Sequence, residues 1–153
     1  MKMKIYYFAS IVIVGVVLLF PSTVSGRAFC QNISKKNFDL CKNIPYNHTY
    51  YPNILDNRNI NEAIKELSVF TPMVRVACSE YLEPFLCSVY VPSCREEEYG
   101  IIYPCRSLCE KAKNGCSELM NRFGFQWPRY LECNLFPVKS NKTRCLDSSE
   151  FMN

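Results

Sequence analysis

The stretch PCRSLCEKAKNGCSELMNRFG, residues 104–124, decides the fold. Cys105, Leu108, Cys109, Ala112, Cys116, Leu119, Met120 and Phe123 recur at the spacing of one helical face. Arg106, Ser107, Glu110, Lys111, Lys113, Asn114, Ser117, Glu118, Asn121 and Arg122 take the other. The pattern predicts an amphipathic helix over 105–123, opened by Pro104 and closed by a left-handed exit at Gly124. Gly115, inside it, costs about 1 kcal/mol relative to alanine, which tertiary anchoring must offset. The anchors are in the same stretch: three inward cysteines at i, i+4 and i+11 can each reach a different neighbouring segment.

Working outward, all ten cysteines fall between Cys30 and Cys145, behind an apolar leader that has none. An even set behind an export signal reads as five disulfides made in an oxidising compartment. Closing loops of tens of residues stabilises by about 3 to 4 kcal/mol each in the chain-entropy model, so the cross-links decide whether the domain folds. The count alone leaves the connectivity open. No Cys-x-x-Cys occurs and the only histidine is His48, so zinc-finger and thioredoxin-like patterns are absent. His48 lies within a glycosylation sequon and reads as an exposed loop residue, not as the base of a catalytic device. Glu96-Glu97-Glu98 reads as a solvated turn. The residues argue for binding rather than for an enzyme, with no metal and no cofactor.

Lys2 and Lys4, the apolar run from Phe8 to Phe20 and the small residues Val24-Ser25-Gly26 make residues 1–26 a secretory signal peptide, with the mature chain expected to begin near Arg27. The run falls short of the ~20 residues of a spanning helix, and the end, Ser148 to Asn153, has no hydrophobic tail for a lipid anchor. Loss of Lys2 and Lys4 leaves sixteen basic against fourteen acidic residues, a net +2, too weak for nucleic acid. Lys35, Lys36, Lys111, Lys113, Lys139, Lys142 and Arg144 are candidates for a sulfated-glycan patch, with dispersed surface charge as the plainer reading. Asn32-Ile33-Ser34, Asn47-His48-Thr49 and Asn141-Lys142-Thr143 are sequons, which places these segments off the core; two of the three are expected to be used.

Residues 43–58, with Pro45, Pro52, four asparagines and Tyr46, Tyr50 and Tyr51, carry no sustained period and read as irregular chain. Ile60, Ala63, Ile64, Leu67 and Phe70 then recur at helical spacing. A helix over 61–70 is predicted, capped by Asn59 or Asn61, with Pro72 ending or kinking it and a second helical stretch through Val76.

Several quoted runs together resemble one family. Leu40-Cys41, Tyr46-Asn47-His48-Thr49, Pro52-Asn53, Phe70-Thr71-Pro72 and Phe85-Leu86-Cys87-Ser88-Val89-Tyr90-Val91-Pro92-Ser93-Cys94 come first. Pro104-Cys105-Arg106-Ser107-Leu108-Cys109-Glu110, Gly115-Cys116 and Phe123-Gly124-Phe125-Gln126-Trp127-Pro128 follow. The order and spacing are similar to the cysteine-rich domain of Frizzled receptors and secreted Frizzled-related proteins, over residues 30–146 and all ten cysteines. Pro84 stands where many relatives carry an aromatic, removing a ring and a backbone donor, and Leu146 stands where methionine is frequent.

The resemblance implies a compact, mostly α, disulfide-rich domain over 27–146 with little β-structure, followed by a short tail over 147–153. It implies the pairs Cys30 with Cys94, Cys41 with Cys87, Cys78 with Cys116, Cys105 with Cys145 and Cys109 with Cys133. It also implies an apolar groove, lined by Phe70, Pro72, Met73, Val76, Phe123, Phe125 and Leu146, for the acyl chain of a lipid-modified Wnt protein. From the residues alone, Phe70 and Phe123 read as core, whereas Phe125 and Leu146 lie where exposed apolar groups are less expected. The expectation is a secreted, free-standing Wnt-binding domain, extracellular, that sequesters or carries its ligand and modulates signalling. The alternatives are the ectodomain of a Frizzled receptor in shortened form, or a domain of the same fold for free fatty acids or sterols; the groove also offers a route to a homodimer.

Overall fold

The computed structural model describes residues 30–34, 39–95 and 100–151. The leader, Arg27, Lys35, Lys36 and Glu96 to Glu98 lie outside these residues. In chain order the elements are β1 (Cys30–Asn32), β2 (His48–Tyr50), α1 (Ile60–Leu67), α2 (Thr71–Arg75), α3 (Leu82–Tyr90), β3 (Ser93–Arg95), β4 (Gly100–Ile102) and α4 (Arg106–Arg122). Short 3-10 turns complete the helical part.

The quoted stretch forms α4. Cys105, in extended backbone at φ −70 and ψ 151, is its N-cap, so Pro104 sits one residue outside the helix rather than at its first position. Leu108, Cys109, Ala112, Cys116 and Met120 are buried, as the periodicity requires. Phe123 departs from it: as C-cap it lies past the last residue that the core covers, and it is 70% exposed.

The helix predicted over 61–70 begins where Asn59 accepts hydrogen bonds from the Asn61 and Glu62 N–H groups, at 3.0 and 3.1 Å. It stops early, at Leu67. Residues Ser68–Phe70 tighten into a 3-10 turn, because Pro72 has no N–H with which to continue the ladder; α2 starts afresh with that proline in its first turn.

α3 escaped the sequence reading. Leu82, Phe85, Leu86, Cys87, Ser88, Val89 and Tyr90 are all buried, and a helix that is apolar all round has no amphipathic period to detect. Ser88 avoids an orphaned hydroxyl by donating to the carbonyl oxygens of Pro84 and Phe85, each at 2.9 Å. Pro84 lies in the first turn of α3, where N–H groups have no intrahelical acceptor, so its missing donor costs nothing there.

β1 to β4 form one antiparallel sheet in sequence order, with Gln31 opposite Thr49, Thr49 opposite Ser93 and Cys94 opposite Ile101. β2 runs through the region read as irregular, and His48 is a half-buried strand residue opposite Asn32, not a loop residue. Three residues are too few to display a period of two; partners distant in sequence make this strand.

Five disulfides join Cys30–Cys94, Cys41–Cys87, Cys78–Cys116, Cys105–Cys145 and Cys109–Cys133, the pairs that the resemblance implies. Cys105, Cys109 and Cys116 bind α4 to three separate segments. Phe85 packs edge-on to Phe136, with ring centroids 5.2 Å apart, and stacks on Trp127 at 6.0 Å.

The last described residues pack on the domain. In the short tail, Asp147 accepts from the Ser107 hydroxyl at 3.1 Å, the Lys111 ammonium donates to Ser148 Oγ at 2.7 Å, and Phe151 packs against the core. The chain folds back on the first turns of α4.

Candidate functional site

Among the segments that present apolar side chains to solvent, two carry groove candidates. In the first, the N–H of Gly124, at φ 75, donates to the Asn121 carbonyl, and the Phe125 N–H donates to the Met120 carbonyl at 2.9 Å. This paired closure of α4 needs a left-handed residue between two aromatics, which glycine supplies at low cost. It leaves Phe123 70% and Phe125 64% exposed.

In the second segment, α2 and its exit carry Pro72, exposed, Met73, half-buried, and Val76, 59% exposed. Cys78 ties that exit to Cys116 of α4. Cys116 and Phe123 are seven residues apart, two turns along one helical face. Phe70 belongs to the core rather than to an open wall: it is 8% exposed, with its ring centroid 6.2 Å from that of Tyr90.

An open recess of about 430 Å³ is lined by Ile54, Leu55, Asp56, Glu66, Val69, Tyr90 and Tyr130. That size falls within the usual range of small-molecule sites. Val69 comes from the chain just before α2 and Tyr130 from the chain after Phe125. Sequence reasoning missed these residues. Ile54 and Leu55 sit in the aperiodic region, and Val69 lies off the α1 stripe.

The aperiodic loop is nevertheless rigidly specified. Asn53, 4% exposed, accepts from the Leu55 and Asn57 N–H groups, each at 3.0 Å, and donates to the Tyr90 carbonyl at 3.0 Å and to Asn57 Oδ1 at 2.8 Å. One buried amide thus folds residues 53–57 and docks them on the end of α3. The Tyr51 hydroxyl donates to the same Tyr90 carbonyl at 3.0 Å. Burial raises the Tyr90 hydroxyl well above the ordinary phenol range, reinforced by Tyr130 and Glu66 beside it, so it stays a neutral hydroxyl at the base of the recess.

Leu146 does not belong with the other six groove candidates. Its N–H donates to the Tyr103 carbonyl and its carbonyl accepts from the Cys105 N–H, at 2.8 and 2.7 Å, which fixes it at the N-terminal end of α4. Phe123 is at the other end, about 27 Å along the axis from Cys105 at the α-helical rise. Leu146 is 7% exposed and lines a separate, polar recess of about 520 Å³ with His48, Arg95, Arg144 and Glu150. Adjacency to the last cysteine, which suggested exposure, instead brought it under the Cys105–Cys145 cross-link.

Asn32, Asn47 and Asn141 are exposed, whereas Thr49, inside the second sequon, is buried in β2. Of the basic residues read as a glycan patch, Lys111 donates to Ser148 and stands 5.0 Å from the Tyr81 ring centroid, Lys113 pairs with Glu132 at 2.6 Å, and Lys139 lies 4.0 Å from Asp147. These three lysines have partners within the domain.

A family model described as the Fz domain matches residues 30–140. The chain is 44% identical over 117 residues to Protein mom-5 of Caenorhabditis elegans, covering 76% of this chain and 20% of that protein. It is 44% identical over 124 residues to Frizzled-1 of Xenopus laevis, covering 81% and 22%. It therefore spans about a fifth of the length of these relatives. Among solved structures, a selenomethionine-labelled Smoothened cysteine-rich domain matches with a TM-score of 0.51 at 25% identity, over 78% of this chain and 93% of that one. The Xenopus Smoothened cysteine-rich domain in complex with cyclopamine matches with 0.54 at 24% identity, over 71% and 94%, a likeness of fold.

Proposed function

Because the chain belongs to the Fz family of Frizzled-type cysteine-rich domains, we propose that it captures the acyl chain of a lipid-modified Wnt protein. The chain would lie along Val76, Phe123 and Phe125 and enter the recess beside Tyr90. The observation that carries this reading is the exposure of those three side chains, 59%, 70% and 64%. Monomeric domains seldom expose large apolar groups together unless they bind something there. Burying about a dozen methylenes at about 0.8 kcal/mol each supplies roughly 10 kcal/mol gross, against association costs of several kcal/mol. Phe70 acts as floor beneath the groove, and Leu146 takes no part.

The domain works outside the cell in this reading, secreted behind its leader and glycosylated at some of Asn32, Asn47 and Asn141. A free-standing domain sequesters or carries Wnt; the same domain at the front of a longer receptor presents the same surface. The experiment is capture of Wnt from conditioned medium by the purified domain. Acylated Wnt should be retained, and deacylated Wnt, or acylated Wnt offered to Phe125→Glu, should be lost. Equal retention of both forms overturns the proposal.

A further inference from the structure

Asn47, the acceptor of the second sequon, is exposed and is itself part of the wall of the polar recess of about 520 Å³. Its backbone is fixed there: the Asn47 carbonyl accepts from the Ile33 N–H at 2.8 Å, and the next residue, His48, pairs with Asn32 in the sheet. A sugar joined to the Asn47 amide nitrogen therefore starts at the wall of a concave site and not on an open face. Asn32 and Asn141 are also exposed, but neither lines this recess. The wall suits a sugar. Arg95 and Arg144 bring guanidinium donors, Glu150 a carboxylate acceptor and His48 an imidazole, while Tyr46 adds an aromatic body. Groups of both charge signs match a neutral ligand whose hydroxyls donate and accept, whereas a hydrocarbon chain would desolvate them without return.

We propose that this recess is the seat of the protein's own glycan: the core sugars carried by Asn47 fold back into it and hydrogen-bond to side chains of its wall, Arg95 and Glu150 among them. Tethering makes weak sugar contacts sufficient, because the covalent bond removes most of the translational cost of binding. The order of assembly agrees with this. Thr49, which the acceptor pattern reads together with Asn47, is 1% exposed in a strand paired on both sides, opposite Gln31 and Ser93. The sugar is accordingly added while the chain is open, and the segment carrying Arg144 and Glu150 closes the recess around it. The inference rests on the glycosylation proposed above, at Asn47 in particular, and adds to it where the sugar goes.

The test uses the full chain secreted from cells that keep glycans in the high-mannose form, with occupancy of each sequon read by glycopeptide mass. An endoglycosidase that cuts between the core sugars should release the Asn47 glycan about tenfold more slowly from the folded chain than from the reduced, denatured chain, the scale of one or two net hydrogen bonds. A glycan on Asn141 should differ by no more than about twofold between the two states, since nothing holds it. Combining Arg95→Ala with Glu150→Ala should speed release at Asn47 in the folded chain to the rate of the denatured one, with Wnt capture and the near-ultraviolet spectrum unchanged. Equal release at Asn47 from the folded and denatured wild-type chain overturns the inference alone, as does protection that survives in the double variant, which would place the shielding in the sheet and not in sugar contacts. A bare Asn47 overturns the inference together with that glycosylation, while Wnt capture reports the acyl-binding function separately.

Discussion

A Cβ atom placed on Gly115 would stand 2.6 Å from Ser79 Cβ and 2.9 Å from the Cys78 carbonyl oxygen. That close approach is why glycine occupies the middle of α4: the segment leaving α2 lies directly on the helix and is cross-linked to the next residue, Cys116. Gly115→Ala should therefore destabilise the domain by about 1 to 2 kcal/mol, the overpacking strain exceeding the roughly 1 kcal/mol that alanine gains in helix propensity. Denaturant titration of the oxidised domain measures it, and stabilisation by the substitution would refute the steric account.

Asn53→Ala should lower stability by about 2 to 3 kcal/mol, since it leaves the buried Asn57 N–H, and the Leu55 N–H, without the acceptor that folds the loop. Hydrogen exchange at Leu55 and Asn57 should accelerate more than at α4. Uniform acceleration would mean that the loop is not locally held by this side chain.

Leu146 and Val76 should separate folding from binding. Leu146→Ala removes a buried side chain and should cost about 2 to 3 kcal/mol while Wnt capture per folded molecule stays at the wild-type level. Val76→Asp should leave the melting temperature within a few degrees and reduce capture at least about tenfold, the scale of placing a charge against hydrocarbon. Loss of capture in folded Leu146→Ala would return that residue to the site.

Loop entropy alone ranks the Cys30–Cys94 cross-link, with a separation of 64 residues, above Cys109–Cys133, with 24, by somewhat under about 1 kcal/mol. Replacing both partners by serine should reverse that order. Cys133 and Cys94 are alike at 8% and 6% exposed, but Cys109 is fully buried where Cys30 is only half-buried, so the shorter pair buries one more serine hydroxyl, at about 1 to 3 kcal/mol of desolvation. Comparative melting of the two double variants decides the order.

Acid should weaken the anchoring of residues 147–151. Partial burial would by itself raise the Asp147 carboxyl, but the Ser148 N–H, the Ser107 hydroxyl and the nearby Lys139 and Lys111 hold it below its usual value. A lowered folded-state value means that this stabilisation is complete above the ordinary aspartate range, near about 4, and is lost as pH falls through the folded value. Glu83 works in the opposite sense, because burial raises it. Asp147→Asn should flatten the acid limb of the stability profile, and an unchanged limb would remove Asp147 from the account.

Much of this architecture is legible in the chain. α4 is written in its seven-residue spacings and α1 in its cap and stripe, because each is one amphipathic face repeated often enough to reveal its period. α3 and β2 are not: α3 is buried all round, and β2 has three residues whose partners lie far away in sequence. The site divides similarly. Phe125 stands out as an apolar residue just beyond a helix-ending glycine, but Ile54, Leu55, Val69 and Tyr130 acquire a common surface only when the Asn53 loop docks on Tyr90.

Read alone, the sequence determined the cross-linked, mostly helical class of the domain, its principal helix and, through family spacing, the partners of its cysteines, since these depend on local period and on order along the chain. Tertiary structure decided which apolar side chains remain open to solvent. Phe70 and Leu146 read like Phe123 and Phe125 as letters, yet packing buries the first pair and leaves the second in water, because exposure depends on what arrives from elsewhere in the chain to cover each position.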